Sequence, residues 1–418
     1  MRISGYLEEH RALGGVAFAL VRDVSGTTQV TLKKGVTDPA LFDLLSELPR
    51  ESVIEVEGVV RRSEKSQRGV EVIPSRIRVL SRSEVPLPLG VVDKVSADLP
   101  TRLDHRVIDL RKPAVHAVFE LRSHLLAAFR ATFVEHGFLE VETPKLLREG
   151  AEGGTTLFPV RYFDTTAYLA QSPQLYKQML MSAGFERVFE IAPAFRAEPS
   201  DTVRHLTEFA SLDAELAYID SPDDVRSCLE SIIQGTVNRT RASLTDAGNP
   251  LASRLPEVRT PFPRIPFATA EEWRGRPGAE IDLGSEDEKA IGERAIAEFG
   301  NPFYFLTDFP TKVKERTFYA QRLDDRPNVT GYFDLDFNGT EVASGGAREH
   351  RLDRLEANIR SAGLDPSSFS SYLEAFRFGM PPHGGWGLGI DRLVWLFSGV
   401  SNVREARLFP RDRYRLDP

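Results

Sequence analysis

The residues best equipped for chemistry lie in separate stretches of the chain. Near the C-terminal end, "HGGWGLGIDR" (383–392) alternates Gly385, Gly387 and Gly389 with larger residues and closes on Arg392. Alternation of period two is the strand signature, so the three glycines share one face and leave it bare. A flat ligand or another backbone can lie against such a face. Ile390, Asp391 and Arg392 then open a helix, whose N-terminus favours anions. The forked guanidinium of Arg392 adds a fixed charge there. The spacing excludes the dinucleotide fingerprint G-x-G-x-x-G, and no G-x-x-x-x-G-K-[ST] loop occurs in the chain. A glycine-rich strand packed on a close neighbour is the plainer reading of this stretch taken alone.

"FRAEPSDTVRHLTEF" (195–209) sets Arg196 two residues before Glu198, then a polar loop with Arg204, His205 and Leu206, then a strand carrying Phe209. An Arg-x-Glu in a strand is usually a surface ion pair. "DLDFNGTE" places Asp334 and Glu341 seven apart. If a bend intervenes, both carboxylates face one cavity, and magnesium is bound by one or two carboxylates plus substrate phosphates. Two solvated loop acids are the alternative. Lys177 by itself reads as an exposed helix lysine.

The elements that must hold these groups can be read from periodicity. Residues 1–83 are β-rich: "VAFALVRD" (16–23), "TTQVTL" (27–32), "VIEVEGVVRR" (53–62) and "GVEVIPSRIRVLS" (69–81), with a hairpin turn at "DVSGTTQV" and a short amphipathic helix at 38–48. Short strands with one interposed helix fit a small OB-type barrel, with a sandwich as the alternative. Residues 84–105 are proline-punctuated and read as a linker or hinge. Residues 106–418 form a second domain. Its long amphipathic helix at 111–138 tolerates Pro113 near its start. Helices follow at 173–184, 221–244, 350–363, 366–379 and 390–400, with strands between them. Residues 245–285, rich in Pro and Gly, carry little pattern and read as a surface insertion.

The bulk numbers bound the class. The chain has 418 residues, 41% hydrophobic and 27% charged, with a net charge of −8, and suggests two or three domains. The acidic balance argues against non-specific polyanion binding over the whole surface but permits a local basic groove. Cys228 is the only cysteine, so no internal disulfide and no cysteine-based zinc site can form, which suits a reducing cytoplasm. No apolar run is long enough for a transmembrane helix, and the first ten residues lack the apolar core of a secretory signal.

Three segments in order, "HGFLEVETP" (136–144), the Arg196 stretch and the glycine stretch, resemble the three signature motifs of class II aminoacyl-tRNA synthetases. "EGAEGGTTLF" (149–158), "YLAQSPQLYKQ" (168–178), "ASGGAREHR" (343–351), "FGMPPHGGWGLGIDRL" (378–393) and "FPRDRYRL" (409–416) look like the archaeal-type aspartyl-tRNA synthetases of subgroup IIb. The resemblance covers essentially the whole chain. It implies an α+β protein: an N-terminal five-stranded OB-fold barrel that binds the anticodon, then a class II catalytic domain, a predominantly antiparallel sheet flanked by helices. It implies activation of L-aspartate with ATP as substrate, transfer to tRNA-Asp with tRNA-Asn as a second candidate, a C2 homodimer built on motif 1, and a cytoplasmic setting without a membrane.

Site roles follow from the same resemblance. Arg196 would hold the α-phosphate and Arg392 the far end of the triphosphate. Phe209 would stack adenine and Glu198 accept from its amino group. Arg204, His205, Leu206, Gly389, Ile390 and Asp391 would complete the ATP site. Glu341, helped by Asp334 and Ser344, would bind Mg2+. Arg348 would fork onto the aspartate side chain, with Lys177 adding a second charge. Glu152, in the Gly-flanked "EGAEGG", would close over the substrate and bind its ammonium side with Gln174, with Ser172 near by, and Arg196 and Ser344 would also contact the aspartate. Asparagine would leave the buried cations unpaired, which supplies discrimination. In the barrel, Phe18 would stack a base and Arg11 and Gln29 bond base edges. The "RRSEKSQR" run (61–68) is a candidate phosphate contact or a solvated hairpin.

Four features depart from the family pattern. Ala347 stands where glutamine is common, Tyr6 where tryptophan or phenylalanine is common, and Glu8 where relatives accepting both tRNAs often carry histidine. The usual N-terminal leader is also missing, since the sequence opens almost directly at the first expected strand. Two competing readings are an asparaginyl-tRNA or asparagine synthetase on the same scaffold, and a catalytically silent RNA-binding relative. Lys177 with Arg348 weighs against the first, and intact Arg196, Glu341 and Arg392 against the second.

Overall fold

Alternating apolar side chains close the first part of the chain into a barrel. In the computed structural model, residues 1–92, 97–148, 157–198 and 202–418 are described. They divide into two compact units, Met1–Asp109 and Leu110–Pro418.

In the first unit, five strands run Arg2–Leu13, Val16–Asp23, Gly26–Lys33, Val53–Arg62 and Val70–Ser81. They pair in the order first, second, third, fifth, fourth and close on themselves, so the barrel expectation holds and the sandwich does not. Ala17, Ala19 and Val21, then Val30 and Leu32, then Ile54 and Val56 point inward at period two. The hairpin turn lies at residues 24–25, with Asp23 paired to Gly26 and its Oδ1 accepting from the Ser25 N–H at 2.8 Å. Helix Pro39–Glu47 starts where Asp38 accepts from the Ala40 N–H, and it sends Leu45 into the barrel core.

The stretch read as a linker is not bare chain. Leu99–Asp104 is helical, started by the Asp98 carboxylate accepting from the Thr101 N–H at 3.0 Å. Its one proline, Pro100, sits in the first turn rather than at a break, where the N–H that proline lacks is unpaired anyway.

The second unit carries an eight-stranded sheet. Its order is Arg264–Pro266, Phe303–Thr307, Tyr332–Phe337, Glu341–Ala347, His383–Gly389, Glu208–Ala217, Arg187–Phe195 and Leu139–Glu140. Pairing is antiparallel except at the two edges, where Arg264–Pro266 and Leu139–Glu140 pair in parallel. Helices Pro113–Glu135 and Pro222–Asp246 cover one face, with Leu121, Phe129 and Phe133 meeting Leu229, Ile233 and Val237 over Phe333 and Leu335. The second helix begins with a reciprocal cap: Ser221 serves Asp223 N–H, and Asp224 serves Ser221 N–H. Trp386 and Leu388 of the glycine strand join this core fully buried. Each such burial stabilises by roughly 1.5–3 kcal/mol, which fixes the strand's facing and turns its glycines to the other side.

Residues 245–285 differ from the surface insertion expected. Leu255, Val258 and Phe262 belong to the main core, and Arg264–Pro266 is a sheet strand. Phe267 and Ala270, in helix Phe267–Trp273, pack with Tyr304, Leu306 and Phe309. The apolar groups are spread among prolines over pieces too short to show a period, so composition hid them. Among the described residues no helix is long and apolar enough to cross a membrane.

Candidate active site

The glycine strand is the floor of a cavity of about 430 Å³. Directly paired residues on neighbouring strands point to the same face. Gly387 stands opposite Asp213 on one side and Ser344 on the other, and Ser344 stands opposite Asp334. In the next such row, Tyr332, Gly346, Gly385 and Glu215 lie side by side. The bare face is therefore not bare throughout. A Cβ at Gly385 would lie 2.2 Å from a Glu215 carboxylate oxygen, so the protein itself fills that place. A Cβ at Gly387 would crowd Asp213 Oδ1 at 3.1 Å, and at Gly389 it would meet only Arg392's own side chain. Gly387 and Gly389 line the cavity; Gly385 makes room for a buried acid.

One end of the cavity collects the residues of the Arg196 stretch. Arg196, Glu198, Arg204, His205, Leu206 and Phe209 all line it, with Gly389, Asp391 and Arg392 beside them. The Arg196 guanidinium lies 5.3 Å from the Phe209 ring centre, a cation–π contact. Arg392 donates from Nη1 to the Glu341 carbonyl at 2.8 Å. His205 Nε2 is 3.8 Å from Glu198; burial holds the imidazole below its usual range despite that acid, and Arg392, Arg204 and Arg196 push the same way. Arg204 Nη1 pairs with Glu288 at 2.7 Å, on helix Ser285–Phe299.

Two expected ligand residues are placed otherwise. Ile390 is wholly buried in the main core, because it follows Gly389 on the side of Trp386 and Leu388. Asp391 lines the cavity, but both its oxygens are engaged: Oδ2 accepts from the Ala210 N–H at 2.7 Å and Oδ1 pairs with Arg122. It ties the helix Ile390–Ser398 to the neighbouring strand and to helix Pro113–Glu135.

Behind the cavity wall at Asp213 lie buried charges; the expected Lys177 and Arg348 do not line the cavity themselves. Lys177, on helix Gln174–Ser182, sends Nζ to Asp213 Oδ1 at 3.1 Å and the Trp386 carbonyl at 2.9 Å, with Glu215 Oε2 at 3.4 Å. Arg348 donates from Nε to Glu215 Oε1 at 3.0 Å, and its Nη1 is buried with no acceptor among the described residues. Burial works to raise the Glu215 carboxyl, but Arg348 and Lys177 outweigh it and hold it low. The same pairing pushes the Arg348 guanidinium up against its burial. Neither expected cation is therefore free-standing; both are seated on internal acids. Ser172 and Gln174 line the cavity, and the buried Gln174 amide nitrogen lacks a partner among the described residues. Glu152 lies outside the described residues.

The third side holds the acids. Asp334 Oδ1 accepts from Ser344 Oγ at 2.7 Å and Oδ2 from Lys314 Nζ at 3.2 Å. Burial, reinforced by Glu341, raises the Asp334 carboxyl to about 6 even so. No group of three or more acids, histidines or cysteines among the described residues is gathered as a ready metal cage. Of Asp334 and Glu341, Glu341 presents the more exposed carboxylate to the cavity. With phosphate oxygens it makes a sufficient donor set for magnesium, whereas Asp334 and Ser344 already bond each other. Asp213, Glu215, Lys314, Tyr319 and Tyr332 were not singled out in the sequence. The two acids had a signal, since "SLDAEL" alternates them with apolar residues at strand period; Lys314 had none.

In the barrel, Arg11 stands opposite Phe18, and Phe18 opposite Thr31. Gln29, two along from Thr31, donates to Glu71 Oε2 and Thr31 Oγ1, both at 3.2 Å. These groups thus share one barrel face. Glu8 pairs with Arg22 at 3.1 Å, which also forks onto Glu51. Arg68, the last of the basic run, folds back onto Ser25 and Thr28 rather than standing free.

Comparison with known proteins matches this geometry. Residues 98–413 fit the model of tRNA synthetases class II (D, K and N), and residues 1–80 that of the OB-fold nucleic acid binding domain. The chain is 45% identical over its whole length to the aspartate–tRNA(Asp) ligase of Thermococcus kodakarensis, covering 96% of it. It is 48% identical to the aspartate–tRNA(Asp/Asn) ligase of Methanopyrus kandleri, again covering 96%. Among solved structures, asparaginyl-tRNA synthetase from Pyrococcus horikoshii complexed with asparaginyl-adenylate superposes with a TM-score of 0.91 at 32% identity, covering all of this chain and 96% of that one. Aspartyl-tRNA synthetase from Entamoeba histolytica superposes with a TM-score of 0.87 at 30% identity, covering all of this chain and 89% of that one. With a matching catalytic model over most of its length and an OB-fold model over the rest, the chain belongs to the class II tRNA synthetases of the D, K and N group.

Proposed function

We propose that this chain is an aspartate–tRNA ligase of the cytoplasm, which joins L-aspartate to the α-phosphate of ATP and passes the aspartyl group to the 3′ end of tRNA-Asp, with tRNA-Asn as the second acceptor to be tested. The observation that carries this reading is a cavity lined by Arg196, Phe209, Glu341 and Arg392, from three distant segments, whose wall residue Asp213 is backed by the buried Lys177, itself beside the Glu215–Arg348 pair.

In the first step an aspartate α-carboxylate oxygen attacks the α-phosphorus and pyrophosphate leaves. Arg196 meets the charge that builds on the α-phosphate, and positioning with charge stabilisation carries such a displacement. Phe209 stacks the adenine, Glu198 accepts from its amino group, and His205 and Arg204 flank the phosphates. Arg392 uses only Nη1 on Glu341, so the rest of its fork serves the terminal phosphate. Glu341 would hold Mg2+, which would supply neutralisation of phosphate charge there. The Arg348 Nη1 donor and the Gln174 amide suit an acidic amino acid, and asparagine would present an NH2 group to a buried donor. Glu152 and Ser172 complete the ammonium side.

Residues 1–83 read the anticodon through Arg11, Phe18 and Gln29, residues 84–105 serve as the hinge, and 106–418 catalyse. A second copy covers the edge strand Leu139–Glu140, where Leu139 is half exposed, giving a C2 homodimer. Charging of separate tRNA-Asp and tRNA-Asn transcripts tests the acceptor. Aspartyl-tRNA-Asp is expected; charging of tRNA-Asn alone would contradict the assignment.

A further inference from the structure

We propose that Lys314 is a further specificity-determining residue, donating to the side-chain carboxylate of the amino-acid substrate. This deepens the aspartate reading and rests on it. Lys177, the lysine expected in that role, has its donors taken. Asp213 and the Trp386 carbonyl accept at 3.1 and 2.9 Å, and Glu215 Oε2 and the Ala214 carbonyl stand at 3.4 Å. Lys314 is different. An ammonium has three N–H donors, and among the described residues only Asp334 Oδ2 accepts from this one, at 3.2 Å. Its other neighbours are ring faces, Phe309 at 4.1 Å and Tyr332 at 5.0 Å.

The side chain lines the cavity with only 14% of its surface exposed. A buried ammonium with donors to spare costs free energy until an anion arrives. Its place in the cavity selects which anion. Arg348, whose Nη1 is a buried donor without an acceptor among the described residues, lies over the same Tyr332 ring at 6.0 Å. Arg196, Arg204 and Phe209, assigned to ATP, line the same cavity, whereas the contacts of Lys314 are to Asp334, Phe309 and Tyr332. Lys314 therefore belongs to the amino-acid end. Asp334 anchors it, and the two rings hold the charge in line.

The test is calorimetric binding of L-aspartate, L-asparagine and ATP with Mg2+, each alone, to the full-length chain. It compares wild type, Lys314→Met and the double variant Lys314→Met/Asp334→Asn, with folding checked by circular dichroism. Lys314→Met should weaken aspartate at least tenfold, leave ATP within about threefold, and narrow the preference over asparagine. The double variant, which also removes the stranded acid, should not recover aspartate affinity. Recovery would overturn the proposal, because Lys314 would then only neutralise Asp334. A loss of ATP affinity instead of aspartate affinity would overturn it too. Wild type that binds ATP but no aspartate would sink the aspartate reading itself.

Discussion

Arg348 donates through Nε to Glu215 at 3.0 Å, with both side chains almost wholly buried, and keeps Nη1 without an acceptor among the described residues. An arginine oriented by an internal acid and left with one buried donor is built to receive a second anion. The pair itself is weak evidence for stability, since desolvation offsets the attraction. Its value is orientation: Glu215 fixes the fork, and Gly385 leaves the space that Glu215 needs.

Replacing Arg348 by leucine should therefore act in two ways. Aspartate kcat/KM should fall about a thousandfold or more, while the KM for ATP changes little. Folding stability should fall by about 3–5 kcal/mol, because Glu215 loses its main partner. Steady-state exchange kinetics and urea unfolding separate the two. Equal losses for aspartate and ATP would show that Arg348 does not read the side chain.

Arg196→Ala should slow adenylate formation by about 10²- to 10³-fold, the usual effect of losing one charge-stabilising donor. Calorimetric aspartate affinity should hardly move, because Arg196 lies at the Phe209 end of the cavity. Pre-steady-state adenylate formation is the measurement; an unchanged rate would remove Arg196 from the chemistry.

Phe18→Ala should leave pyrophosphate exchange intact and weaken tRNA charging. One lost base stack costs about 1–3 kcal/mol. Aminoacylation kcat/KM for tRNA-Asp, compared with exchange on the same preparation, reads it out. A parallel fall in both would mean that the substitution had damaged the fold instead.

Buried His383 sets a pH dependence. Its imidazole bonds the Pro381 carbonyl and Gln178, and burial lowers its pKa to about 4. The unfolded value is about 6.5. Between those values the unfolded chain binds a proton that the folded chain refuses, so stability rises with pH. The contribution is full above pH 6.5 and lost as pH falls toward 4, at most about 3 kcal/mol. Urea unfolding of His383→Asn between pH 4.5 and 7 should show a flatter profile than wild type; an unchanged slope contradicts this role.

Much of the fold was legible because its signals are local. Period two gave the barrel strands, and the helices expected at 38–48, 111–138 and 221–244 form as Pro39–Glu47, Pro113–Glu135 and Pro222–Asp246. What escaped depends on chain partners distant in sequence. Arg264–Pro266 is a strand only because Phe303–Thr307 lies beside it. The cavity-facing glycines were legible, but the division at Gly385 was not, since Glu215 comes from a strand some 170 residues earlier. Asp391 reads in the sequence as part of the ATP site; that its two oxygens are held by Arg122 and the Ala210 N–H depends on partners distant in the chain. Lys314 carries no local pattern at all. It enters the site because its segment folds over Asp334.

The central claim is that the cavity selects and activates aspartate. ATP–pyrophosphate exchange by the full-length chain, run with each of the twenty amino acids in turn, tests it most directly. The assignment predicts exchange with L-aspartate and little above background with L-asparagine or L-lysine. Exchange driven by asparagine or lysine in preference to aspartate, or by none of the twenty, would contradict it.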